Sequence, residues 1–184
     1  LAELAANPHA ENISVSQNDN DKYCRCEKCA AIDAREGTPM GTLLTFVNAV
    51  ARRVAKEHPH VKVGTLSYWY SRRPPSTIRP EPNVQIQLCS IECCLIHPID
   101  DPNCPKNVQF CEDMKRWGTL SDDIAVWNYN TNFSNYLLPC PTSTSSLKDP
   151  AFLEKMTKGP VVVMTVRPSG PPAMGASLAL WFGY

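Results

Sequence analysis

"GTPMGTLLTFVNAVARRVAKEHPHVKVGTLSYWY", residues 37–70, decides the fold. Leu43, Leu44, Val47, Val50 and Val54 recur at i, i+3 and i+4 spacings, which predicts a helix over about 41–57 with one apolar face. Thr38-Pro39 suits its start, and His58-Pro59 stops it. "VKVGTLSYWY" then reads as a strand over about 61–68. A helix that runs straight into a strand is the second half of a β-α-β unit.

The first half lies upstream. "NISVSQ", residues 12–17, alternates apolar and polar and reads as a strand. An acidic, cysteine-rich loop separates it from the helix. Two strands joined through a helix pair in parallel. Downstream the pattern continues. A proline-rich loop, "SRRPPSTIRPEP", leads to a strand over 83–90, "NVQIQLCS". The long loop "IECCLIHPIDDPNCPK" precedes a short helix near 106–118. "DIAVWNYN" is a strand over 123–130, and "TNFSNYLLPCPTSTSS" is a loop. Residues 149–158 form a short helix, and "PVVVMTV" is a strand. The tail "RPSGPPAMGASLALWFGY" has no clear period. At the other end, "LAELAANPHAEN" reads as the last turns of a helix, closed by Asn7-Pro8.

Composition narrows the class. The chain has 184 residues, and 18 basic side chains balance 18 acidic ones. That balance lacks the basic stripe of a nucleic-acid binder. No apolar run reaches the length of a membrane span. The start lacks the basic flank and long apolar middle of a signal peptide. Seventeen prolines argue against a helical bundle. Nine cysteines point to metal or redox chemistry inside a cell, and to disulfides outside it. Two sequons, at Asn12 and Asn132, tilt the reading towards an extracellular or secreted protein and mark candidate glycosylation positions.

In parallel α/β proteins the site gathers at the carboxyl ends of the strands. There this sequence places Asn18, Asp19 and Asp21, then Trp69 with Arg72, then Glu92, then Trp127 with Tyr129. Carboxylates do acid/base work and indole and phenol rings stack on sugars, so the set suits a glycan. Neither GxGxxG nor a P-loop is present, which speaks against a nucleotide.

Each residue also has a plainer reading. The run Asn18–Asp21 has the composition of a solvated turn. Glu92, in "CSIECC", is either kept for chemistry or paired with Arg72 or Arg73. Trp127 and Tyr129 face the same way on one strand, as core residues also do. Arg72 can grip a sugar carboxylate or serve as loop charge. His97, before a proline, reads as structural.

Several linked motifs resemble a known family. "SVSQNDND-YC-C-KC", the helix "GTLLTFVNAVA", "VKVGTLSYWYSRRPP", "IRPEPNVQIQLCSIECC-IHP-DDP" and "W-YNTNFSNYLLPCP" are similar to the domain-of-unknown-function 4838 family. The resemblance covers about residues 10–141. It implies a distant relation to α-glucuronidases and β-hexosaminidases, and a (β/α)8 TIM-type barrel. It also implies acidic groups at the ends of the middle and later strands, where Asp19 (or Asp21) and Glu92 stand. From about residue 142 the pattern departs, so residues 1–141 read as a partial barrel and 142–184 as a divergent segment.

The combined expectation is the later part of a glycoside-hydrolase-like barrel directed at a glycan. Asp19 and Glu92 would be the catalytic carboxylates, one the acid and the other base or nucleophile. Asn18, Asp21, Trp69, Arg72, Trp127 and Tyr129 would bind substrate. The alternative is a non-catalytic carbohydrate-binding or structural protein. Cys24, Cys26 and Cys29 read as a metal or disulfide staple for the loop that carries Asp19. A structural zinc there needs a fourth ligand, from Cys89, Cys93, Cys94, Cys104 or Cys111 through the fold. No cofactor is required for the chemistry. A closed barrel takes eight strands and about 250 residues, and this order counts roughly five strands. The reading is therefore an incomplete barrel, whose two exposed sheet edges and apolar face call for self-association, a partner chain or cover by the tail, and whose isolated chain is expected to hydrolyse glycans poorly or not at all.

Overall fold

The computed structural model describes residues 2–129, 150–157, 161–168 and 176–181. They fall into two compact units, Leu1–Gln87 and Leu88–Tyr184. The first holds α1 (Ala2–Ala6), β1 (Asn12–Ser14), α2 (Glu27–Glu36), α3 (Met40–Glu57), β2 (Lys62–Ser67), a 3-10 turn at Trp69–Ser71, and most of β3 (Val84–Cys89). Its strand order is β1-β2-β3. β1 and β2 are parallel, with Asn12 opposite Lys62 and Ser14 opposite Gly64. The helix foreseen over 41–57 is α3. Its buried face is Met40, Gly41, Leu44, Val47, Asn48, Ala51 and Val54, and Leu43 and Val50 sit at the margin of that face. Val61, Val63, Val84 and Ile86 complete the apolar core of this unit.

Two elements differ from the sequence reading. β1 ends at Ser14, because the Ser16 hydroxyl accepts the Leu66 N–H at 3.2 Å and takes over from the backbone ladder. The cysteine loop does not run on to α3, since residues 27–36 form α2. Only Glu36 of α2 is buried, so it shows no apolar stripe for a periodicity argument to find. It closes on Gly37 at φ 74°, a left-handed cap that glycine adopts at no steric cost. Asp33 reaches forward and accepts the Thr42 N–H at 2.9 Å, which caps the first turn of α3.

The second unit holds the end of β3, α4 (Pro105–Leu120), β4 (Ile124–Tyr129), α5 (Pro150–Met156), β5 (Val161–Pro168) and β6 (Ala176–Trp181), with strand order β3-β4-β5-β6. β4 and β5 are parallel, from Ile124 opposite Val161 to Tyr129 opposite Val166. β6 runs antiparallel to β5. It lies in the tail that showed no period. Phe110, Met114, Trp117, Ile124, Val126, Phe152 and Met156 form the core. The class is therefore mixed α/β with a largely parallel sheet, as the order of elements implied. No helix among the described residues is long and apolar enough to cross a membrane.

Three buried polar side chains fasten loops to this frame. Glu36 accepts hydrogen bonds from the N–H and hydroxyl of Thr77 at 2.7 and 2.8 Å, from the Ile78 N–H at 3.2 Å and from Arg35 Nε at 3.0 Å. Burial pushes its carboxyl up, but these donors outweigh burial and hold it at about 2. Asn48 donates to the Arg79 carbonyl at 2.8 Å and accepts the Glu81 N–H at 3.0 Å. Asn107 does the same for the loop after β3. It accepts the Cys94 N–H at 2.8 Å and donates to the Pro98 carbonyl at 2.9 Å.

Candidate functional site

The loop from β1 to α2 lies against the segment that leaves β2. Asn18, Asp19 and Asp21 are exposed on it. The Tyr68 hydroxyl donates to Asp19 Oδ1 at 3.1 Å. Gln17 Nε2 donates to the Tyr68 carbonyl at 3.1 Å and to Ser71 Oγ at 2.9 Å. Tyr70 stacks on Tyr23, with ring centroids 4.7 Å apart and an interplanar angle of 26°. Burial raises the Tyr70 phenol, and the neighbouring Tyr23 adds to the effect. The Arg25 guanidinium lies over the Tyr23 ring, 4.9 Å from its centroid. The turn signals in the run are also real, because Asn20 Oδ1 accepts the Lys22 N–H at 2.8 Å.

Trp69 is the outlier of this face. It is 50% exposed, and its φ of 50° places it in the left-handed region. Bulky residues are rarely found there. The 3-10 turn around it is closed by the Ser71 N–H on the Tyr68 carbonyl at 3.0 Å. Arg72, read as a possible surface charge, is buried at 8% exposure. Its carbonyl accepts the Ser67 hydroxyl at 2.7 Å.

Cys24, Cys26 and Cys29 converge at the start of α2, their sulfur atoms all within 4.8 Å of one another. Cys26 is the N-cap residue, and its carbonyl accepts the Ala30 N–H at 2.9 Å. The Cys29 N–H, then the neighbouring thiols, lower the Cys26 thiol. Cys29 is pushed up to about 11 by hydrogen bonding to Cys24 and Cys26. All three are free thiols. Three soft donors on one turn suit a thiolate-preferring cation such as zinc. A groove of about 540 Å³ opens beside them, lined by Tyr23, Cys24, Arg25, Asp33, Gly37 and Pro39 among others.

In the second unit, Glu92 is half-buried just beyond β3. Burial pushes the Cys89 thiol up to about 12, a hydrogen bond with Tyr129 opposes this, and the charge of Glu92 adds to it. Glu92, Cys89 and Tyr129 are thus near neighbours. Trp127 and Tyr129 are half-buried on β4. The Trp127 carbonyl accepts the Ser90 N–H at 3.1 Å, and Ser90 Oγ lies 3.2 Å from Asn128 Oδ1.

A second cluster, Cys94, His97 and Cys104, was not foreseen, and His97 was read as structural. Cys94 Sγ lies 3.4 Å from His97 Nδ1, and the ligand atoms of all three residues lie within 4.8 Å of one another. The N–H groups of His97 and Ile96, with help from the imidazole, bring the Cys94 thiol down to about 7. The signal in the sequence was Cys-x2-His followed by a cysteine directly ahead of a helix-starting proline.

Of the two sequon positions, Asn12 is exposed at the start of β1, and Asn132 lies outside the described residues. Asp19 belongs to the first unit and Glu92 to the second.

No curated protein and no solved structure matches the chain. The profile described as Domain of unknown function (DUF4838) matches residues 1–156. That span takes in both thiol clusters and every strand-end residue described above, and the chain belongs to the DUF4838 family.

Proposed function

We propose that this chain is a glycan-directed domain of glycoside-hydrolase-like α/β-barrel type, with its sugar face at the carboxyl ends of β1 and β2. The observation that carries the reading is Trp69, an indole half in solvent and held in left-handed backbone beyond a parallel strand. Such a conformation costs on the order of 1–3 kcal/mol, and such outliers cluster at ligand sites. Its neighbours supply the rest of a sugar-binding surface. The indole offers an apolar plane for a pyranose ring, and Asp19, oriented by the Tyr68 hydroxyl, accepts from sugar hydroxyls.

The experiment is calorimetric titration of a panel of uronic-acid and N-acetylhexosamine oligosaccharides, repeated with Trp69→Ala. At least a tenfold loss of affinity with an unchanged unfolding midpoint supports the reading. Absence of binding to every glycan, or equal binding by the variant, overturns it. Hydrolysis by Asp19 and Glu92, which the resemblance to glucuronidases and hexosaminidases implies, is the stronger form of this reading. Turnover of a bound glycan, abolished separately by Asp19→Asn and by Glu92→Gln, would establish it.

A further inference from the structure

Cys94, His97 and Cys104 bring two sulfurs and one imidazole nitrogen together from the loop after β3 and the start of α4. Tetrahedral zinc has Zn–S distances of about 2.3 Å and Zn–N of about 2.0–2.1 Å, which sets a sulfur-to-nitrogen edge of about 3.5 Å. The Cys94 Sγ to His97 Nδ1 distance is 3.4 Å. That pair is therefore already at ligand spacing, and the Cys104 sulfur lies within 4.8 Å of both.

The backbone that carries them is held independently of any ion. Asn107, with no exposed surface, accepts the Cys94 N–H and donates towards the carbonyls of Cys94, His97 and Pro98 at 3.3, 3.3 and 2.9 Å. Cys104 is fixed as the N-cap residue of α4, where its carbonyl accepts the N–H groups of Asn107 and Val108 at 3.0 and 2.9 Å. One carboxamide on α4 thus sets the conformation of the loop that presents the other two donors. Metal sites depend on that kind of support to orient their ligands.

We propose that Cys94, His97 and Cys104 form a zinc site, separate from the Cys24–Cys26–Cys29 cluster and independent of the glycan reading. Two thiolates and an imidazole select a borderline-soft cation over calcium or magnesium. Cys104 is buried, Cys94 half-buried and His97 exposed, so the site reaches the surface and a water molecule can complete the tetrahedron. Binding releases the thiol protons of Cys94 and Cys104 to solvent and leaves the imidazole neutral, with its Nδ1 lone pair on the metal.

The test uses the full chain carrying Cys24→Ser, Cys26→Ser and Cys29→Ser, reduced and freed of metal, with cobalt(II) and zinc(II) as probes. The expected result is one equivalent of cobalt with thiolate-to-cobalt absorption, displaced by zinc. Zinc should also slow iodoacetamide labelling of Cys94 and Cys104 at least tenfold, as mapped on peptides of the wild-type chain. His97→Ala, a change at an exposed side chain, should abolish the cobalt bands and leave the fold intact by circular dichroism. Absence of the bands in the parent, unchanged bands in His97→Ala, or protection confined to Cys24, Cys26 and Cys29 in the wild-type chain would overturn the proposal. So would a Cys94–Cys104 disulfide that re-forms in the presence of zinc.

Discussion

The Tyr68 hydroxyl donates to Asp19 across 49 positions of sequence, at 3.1 Å. It ties the tip of the β1–α2 loop to the residue that follows β2. Both partners are accessible, so the bond adds little to stability. Its effect is to hold the carboxylate in one orientation. Tyr68→Phe should therefore shift the unfolding free energy by less than about 1 kcal/mol. On the proposed sugar face it should weaken glycan binding roughly tenfold, because a carboxylate no longer held in one orientation has to be ordered when the sugar binds. Parallel chemical denaturation and glycan titration separate the two effects.

Glu36 predicts an acid-sensitive first unit. Its folded carboxyl sits at about 2, against an ordinary value of 4.5 in the unfolded chain. As pH falls, the unfolded state takes up a proton first. The stabilisation is complete above about 4.5, and it is lost as pH drops from there towards 2. Glu36→Gln should cost about 1–3 kcal/mol at neutral pH, since it turns an amide donor towards donors. The same variant should flatten the acid limb of the stability curve between pH 4.5 and 2. Urea midpoints at several pH values, compared with wild type, measure both effects.

Gly118 lies where α4 meets the end of α5. A Cβ there would fall 2.8 Å from the Met156 carbonyl oxygen and 2.8 Å from Thr157 Cα, both backbone atoms. Alanine is the better helix former by about 1 kcal/mol, but this clash cannot be relieved by a rotamer change. Gly118→Ala should be destabilising by about 1–3 kcal/mol. Thermal unfolding with amide exchange in 150–157 tests it, because the displaced element should exchange faster.

Asn107 has four polar contacts to the 94–98 loop. Asn107→Ala removes the partner of three part-buried carbonyls and an N–H, at up to about 1–3 kcal/mol each before relaxation and solvent access. The expected result is a loss of about 3 kcal/mol overall, together with rapid amide exchange at Cys94. Asn107→Asp should be no better, because a carboxylate has no proton for the Pro98 carbonyl.

The sequence was most informative where one face of an element is apolar. α3 was foreseen over 41–57 and occupies 40–57. β2, β3 and β4 each fall within a residue or two of the expected limits. α2 escaped notice because its contacts are polar, through Asp33, Glu36 and the Cys29 carbonyl, and leave no periodic stripe. β6 escaped because glycine and proline crowd its approach, and strand patterning over six residues is weak evidence. Among the site residues, the run at Asn18–Asp21 and the aromatic segment at 68–70 stood out by composition and do meet. The Cys94–His97–Cys104 cluster did not, since its members are spread over eleven positions and only the turn of the loop before α4 gathers them.

Asn48 and Asn107 each spend both ends of a carboxamide on backbone groups of a loop outside their own helix. Glutamine is a methylene too long for the same grip, aspartate lacks the donor, and leucine has neither function. In a saturation library selected only for soluble folded protein, these two positions should tolerate a single letter. They would rank with any binding residue as invariant columns while touching no ligand. A variation map of this family would therefore mark its loop anchors as strongly as its recognition surface, and only a ligand-dependent selection would tell the two apart.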